Sequence, residues 1–77
     1  MNENRMAPRQ RVLKGAKISF GGGAIDCAVR NISSSGAALE VESPMGIPAE
    51  FTLVIDRQRR NCEVIWRREK RIGIRFK

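Results

Sequence analysis

The chain has 77 residues, with 15 Lys and Arg against 8 Asp and Glu and a net charge of +7. This length suits one domain with a thin core and excludes a two-domain enzyme. The sequence contains no His, which removes imidazole bases, His-dependent nucleophiles and His metal ligands. We therefore expect a non-enzymatic protein with no catalytic residues, no metal and an anionic partner.

The positive charge lies at both ends of the chain. Residues 1–17 and 57–77 are basic, whereas residues 18–56 are acidic. Cys27 and Cys62 form no C-x-x-C pair, so we expect two reduced core thiols rather than a zinc site. No apolar leader or membrane span is visible, which predicts a cytoplasmic protein without a membrane partner.

Apolar and polar residues alternate with the period of half-buried strands, and this pattern predicts six of them. The first runs from about Val12 to Phe20 and ends at Gly21-Gly22-Gly23, and a polar run at residues 31–36 separates the second strand from the third. Six short strands in a small chain indicate an all-β, antiparallel barrel, because closure removes exposed edges. The inward-facing positions define the predicted core: Ile18, Phe20, Ile25, Cys27, Val29, Leu39, Val41, Phe51, Leu53, Val64, Trp66, Ile72, Ile74 and Phe76.

The predicted organisation is a flexible basic arm at residues 1–11 followed by a single barrel at residues 12–77. The arm has too few apolar side chains to offset its backbone entropy, so we expect it to be ordered only by a ligand. Val54 and Ile65 fall on the outward phase of their strands. They are candidates for a self-association face, and hence for a homodimer.

Two short motifs are candidates for function. Arg5-Met6-Ala7-Pro8-Arg9 is an R-x-x-x-R in the arm, and Asn31-Ile32-Ser33-Ser34-Ser35-Gly36 is an N-x-S-x-x-G between the second and third strands. Guanidinium groups grip phosphate oxygens in bidentate fashion, stack on purines and donate to guanine O6 and N7. The second motif adds an amide and a hydroxyl, and it is also a common way to build a plain turn.

The order of these parts resembles the PilZ domain, a bacterial family whose two motifs bind the second messenger cyclic di-GMP. The ending, Val64-Ile65-Trp66 and then Arg71 to Phe76, is similar to the closing hairpin of a PilZ barrel. The resemblance implies that Arg5 and Arg9 bind phosphate and guanine, that Asn31 and Ser33 contact the ligand, and that Gly36 shapes the loop. Arg11 is an additional candidate without a motif position.

The resemblance implies a receptor for cyclic di-GMP that needs no cofactor, orders its arm on binding and signals to an unidentified downstream partner. A departure from the family pattern is Asn4, where the first motif often carries another basic residue. Two alternatives stay open. One is a PilZ-like adaptor that binds protein but no nucleotide, and the other is a small RNA or single-stranded DNA-binding barrel. The latter ranks last, because all four aromatic residues fall on the inward phase.

Overall fold

In the computed structural model, residues 10–77 are described, and they fold into six antiparallel strands. The strands are β1 (Gln10–Phe20), β2 (Gly23–Ile32), β3 (Gly36–Glu40), β4 (Glu50–Ile55), β5 (Gln58–Arg68) and β6 (Arg71–Phe76). The predicted all-β class and six-stranded antiparallel barrel are confirmed. The predicted arm falls on residues 1–11, of which residues 1–9 lie outside the described part of the chain.

The sheet closes in the order β1-β2-β3-β6-β5-β4, with β4 pairing back onto β1. Four connections join neighbours in the sheet, and the 41–49 loop carries the chain from β3 to β4 across one end of the barrel. The closing seam is short, because only Lys17, Ile18 and Ser19 of β1 pair with β4. An ion pair between Lys14 and Asp56, 2.6 Å from Nζ to Oδ2, adds a link from β1 to the β4–β5 turn.

Most of the predicted core is buried. Ile18, Val29, Leu39, Leu53 and Ile72 are completely inaccessible, which fits the period-two pattern on four different strands and the closing strand β6. Phe20, Val64 and Phe76 are half-buried and pack against the core. The alternation of apolar and polar residues therefore identified the inner face of the barrel.

Two predicted core residues are wrong. Ile25 is 38% exposed, because it lies where β2 extends past the end of β3 and has a strand neighbour only at Ile18 of β1. Trp66 is 44% exposed, because β5 contains a bulge between Val64 and Trp66. An extra residue in a bulge reverses the inward and outward phase of the strand that follows it.

Several core residues were missing from the prediction. The buried set also includes Ala16, Ala37, Ala38, Ile47 and Ile55. Cys27 and Cys62, both expected to be core thiols, are buried and free. Ile47 lies in the 41–49 loop, outside any alternating segment, and closes the end of the barrel. Alanines and loop residues carry little period-two signal, so only the folded chain reveals them, whereas Ile55 continues the alternation of Phe51 and Leu53 along β4.

Candidate functional site

A bulge in β2 presents two polar side chains on the outside of the barrel. The β2–β3 register shifts between Val29 and Asn31, and Val29 is fully buried while Ile32 packs against the core. Arg30 is the extra residue, so it and Asn31 both lie on the outer side of the strand. Asn31 therefore belongs to β2 rather than to the predicted loop, which is confined to residues 33–35.

Arg11 lies beside Asn31. β1 begins at Gln10, two residues before the predicted start, and Arg11 is in register with Asn31 across the β1–β2 ladder. A concavity of about 380 Å³ forms at this point; its lining residues are Arg11, Val12, Leu13, Arg30, Asn31 and Arg71. The polar lining of this open cleft thus consists of three guanidinium groups and the amide of Asn31, and none of the lining residues is a carboxylate. This composition suits a phosphate-bearing ligand.

Ser33 builds the turn between β2 and β3. Its Oγ accepts hydrogen bonds from the backbone N–H groups of Ser35 and Gly36, both at 3.2 Å. Its own backbone N–H donates to the Gly36 carbonyl oxygen at 2.8 Å. These bonds fix the shape of the loop that follows Asn31, while Ser33 itself is not among the residues that line the cleft. The side-chain bonding is typical of Ser-directed turns.

Gly36 is buried where β3 meets β6. A Cβ added at this position would lie 3.3 Å from the Ile74 carbonyl carbon and overlap the carbonyl oxygen. The backbones therefore approach closely at the first residue of β3, and a side chain at position 36 would force them apart. The glycine of the second motif serves the strand pairing that positions the loop.

Arg5 and Arg9, the two arginines of the first motif, lie outside the described residues. Of the other predicted site residues, Arg11 and Asn31 line one cleft, whereas Ser33 and Gly36 shape the turn beside it. Arg30 and Arg71 also line the cleft, although neither belongs to a motif of the sequence. Arg71 begins β6 and reaches the cleft through the non-local β3–β6 pairing, in which it lies opposite Glu40.

Trp66 is an aromatic residue on the same outer surface. It lies opposite Gly73 in the β5–β6 ladder, and a Cβ added at Gly73 would be 2.8 Å from Trp66 Cδ1 and closer to Nε1 and Cε2. The indole therefore lies directly over the glycine backbone. The two residues are equidistant from the Glu69-Lys70 turn, so the hairpin could have suggested their pairing once that turn was located.

The structure is thus a small, closed antiparallel β-barrel with a cationic cleft on its outer wall. The PilZ domain family model matches residues 3–77, so the chain belongs to the PilZ domain family. No curated protein matches the sequence. Within residues 10–77, no helix is long and apolar enough to cross a bilayer.

Proposed function

We propose that this domain is a non-enzymatic receptor for cyclic di-GMP. The observation that carries the proposal is the cleft in which Arg11 of β1 lies beside Asn31 of the second motif, in a chain of the PilZ family. The motif with Arg5 and Arg9 directly precedes β1 in the sequence, since Arg9 is the residue before Gln10, where β1 begins. Its guanidinium groups would complete a site that already holds Arg11, Arg30 and Arg71.

The charge of the cleft supports a ligand with two phosphates. Arg30 is paired with Glu40, at 3.1 Å from Nη1 to Oε1, whereas no ion pair within the described residues involves Arg11 or Arg71. These two exposed guanidinium groups can therefore turn to an incoming anion without giving up an existing ion pair. Bidentate bonds from arginine to phosphate are short and strong, and they weaken when salt screens the charges.

Ligand binding would convert the arm and the adjoining cleft into one surface. Such a surface can be recognised by a downstream protein or by a second copy of the domain, and this is how a bound nucleotide acts as a signal. Ile65 is 53% exposed and Val54 is half-buried, so the outer face of β4 and β5 stays a candidate for self-association. The cytoplasm is the proposed location.

Calorimetric titration tests the proposal with three ligands: cyclic di-GMP, GMP and a single-stranded oligonucleotide. We expect cyclic di-GMP to bind most tightly, because it holds two guanines and two phosphates in one compact ring, which neither GMP nor an extended oligonucleotide does. Arg9→Ala should weaken binding by about 2–5 kcal/mol, which corresponds to roughly 30-fold to several thousand-fold. Arg59→Ala is the matched control, since Arg59 is exposed on β5, opposite Val54 and away from the cleft.

The alternatives give different results in the same titration. A protein-binding adaptor without nucleotide affinity would give no heat with any of the three ligands. A nucleic-acid-binding barrel would prefer the oligonucleotide, and the exposure of Trp66 provides the stacking surface that such a protein needs. Equal affinity for GMP and cyclic di-GMP would contradict the proposed receptor.

A further inference from the structure

A second concavity adjoins the cationic cleft. It has a volume of about 400 Å³ and is lined by Glu40, Trp66, Arg68, Glu69, Lys70 and Arg71. Arg71 lines both concavities, and the Arg30–Glu40 ion pair lies between them, with its arginine in the first and its glutamate in the second. The two concavities are therefore neighbouring parts of one surface on β2, β3, β6 and β5.

The second concavity has an aromatic wall. The indole of Trp66 lies against the Gly73 backbone, so closely that a Cβ at position 73 would overlap the ring. The side chain nevertheless remains 44% exposed. Gly73 is required for this arrangement, since a methyl group at that position would displace the ring. An exposed, flat indole of this kind is a stacking surface for a planar base.

Both acidic and basic side chains line the concavity beside the indole. The Glu40 carboxylate uses one oxygen for Arg30 and is 41% exposed, so it can accept further bonds. Guanine presents N–H donors at N1 and N2, which suit a carboxylate, and acceptors at O6 and N7, which suit a guanidinium. Adenine has an acceptor at N1 and would face the carboxylate with an acceptor. The lining residues thus favour guanine over adenine.

We propose that the concavity beside Trp66 is a guanine-base subsite, with Trp66 stacking on the base, Glu40 accepting from N1–H and N2–H and Arg71 donating to O6 or N7. This inference rests on the proposed function, and it assigns a place to one of the two guanines of cyclic di-GMP. The register Asn31–Ala38–Gly73–Trp66 places Trp66 three strand spacings, or about 14 Å, from Asn31. A ligand with two bases can engage both ends of this surface.

Trp66 is the single tryptophan of the chain, so its fluorescence reports directly on this subsite. We expect cyclic di-GMP to quench or shift the Trp66 emission at the concentrations at which calorimetry detects binding. Cyclic di-AMP should bind at least 10-fold more weakly. Calorimetric binding of cyclic di-GMP without any change in Trp66 emission would overturn the subsite and leave the proposed receptor standing. Absence of calorimetric binding would overturn the proposed function, and the subsite with it.

Glu40→Gln tests the selectivity, because the amide has a single acceptor oxygen, for which Arg30 and the base would compete, and its NH2 group is a donor that repels guanine N1–H and N2–H. We expect the preference for cyclic di-GMP over cyclic di-AMP to fall by about 5-fold to 100-fold, the usual range for one bidentate base contact. Glu63→Gln is the matched control, since Glu63 is paired with Arg75 on the β5–β6 ladder outside this concavity.

Gly73→Ala tests the stacking surface without changing Glu40. The added methyl group should displace the indole, alter the emission of the free protein and weaken cyclic di-GMP binding. Thermal melts of each variant separate these effects from unfolding. Unchanged selectivity in Glu40→Gln, or unchanged affinity in a folded Gly73→Ala with displaced emission, would refute the subsite.

Discussion

Replacing Gly36 by Ala should destabilise the barrel, even though this residue belongs to a motif associated with ligand binding. A Cβ at this position would overlap the Ile74 carbonyl oxygen, which is backbone and has no rotamer to change. To restore a normal contact, β3 and β6 must separate by roughly 1 Å. Residue 36 is in register with Arg75, and the Phe76 N–H donates to the Ser35 carbonyl oxygen at 2.8 Å beside it.

The expected loss follows from the hydrogen bonds that this separation lengthens. Two ladder or turn bonds weakened at about 0.5–1.5 kcal/mol each give a loss of about 1–3 kcal/mol, which is also the usual cost of overpacking. For a domain of this size, that loss lowers Tm by roughly 5–20 °C. The variant should also bind ligand poorly near its transition, because the turn at Ser33 depends on the same strand pairing.

Thermal melts followed by far-ultraviolet circular dichroism measure this loss, and Gly15→Ala is the matched control. Gly15 is in β1, has no positive φ and has no heavy atom within 4 Å of an added Cβ. Alanine there should leave Tm unchanged or raise it slightly, by restricting the unfolded chain. If Gly36→Ala melted at the same temperature as the wild type and Gly15→Ala, the close approach of β3 and β6 would be disproved.

Two further predictions concern the turns and the thiols. Arg57 has φ of 66° in the β4–β5 turn, a left-handed conformation that glycine adopts without strain. Arg57→Gly should therefore raise the free energy of unfolding by about 1 kcal/mol in urea melts, whereas the control Gln58→Gly should lower it. A lower stability for Arg57→Gly would contradict the turn strain assigned to this residue. Burial raises the pKa of Cys27 and of Cys62 from 9.0 to about 11. The unfolded thiols lose their protons first, so the free energy of unfolding should be level below about pH 9 and fall between pH 9 and 11. A Cys27→Ala/Cys62→Ala double variant should show a smaller fall over this range, and an identical slope would exclude the thiols as its cause.

The local sequence pattern was sufficient to predict the six strands and most of the core residues. The alternation at Ile18, Val29, Leu39, Leu53 and Ile72 reflects a side chain that must reverse direction at each successive strand residue. The same pattern, together with the two motifs, indicated the barrel and the family. The resemblance to the family implied a role for Asn31, and Arg11 was an additional candidate without a motif position; the fold brings the two side by side.

The pattern failed wherever a bulge changed the phase. The bulge before Trp66 moves the indole from the predicted core to the outer surface, and the bulge at Arg30 places Asn31 on the outer side of β2. A bulge adds one residue to one strand, and the alternation of apolar and polar residues before the bulge does not predict where this extra residue lies. For this reason the alternation predicted that Trp66 is buried, whereas the structure shows it exposed.

The tertiary structure alone determined which residues lie next to one another across neighbouring strands. Glu40 meets Arg71 through the β3–β6 pairing, and Trp66 covers Gly73 through the β5–β6 pairing, although Glu40 and Arg71 are separated by 31 positions in the chain. The sequence determined which residues could face outward and carried the positive charge of the two ends. Only the closure of the barrel and the register of its strands determined that Arg11, Arg30 and Arg71 share one cleft, because register depends on contacts between segments that are distant in the chain.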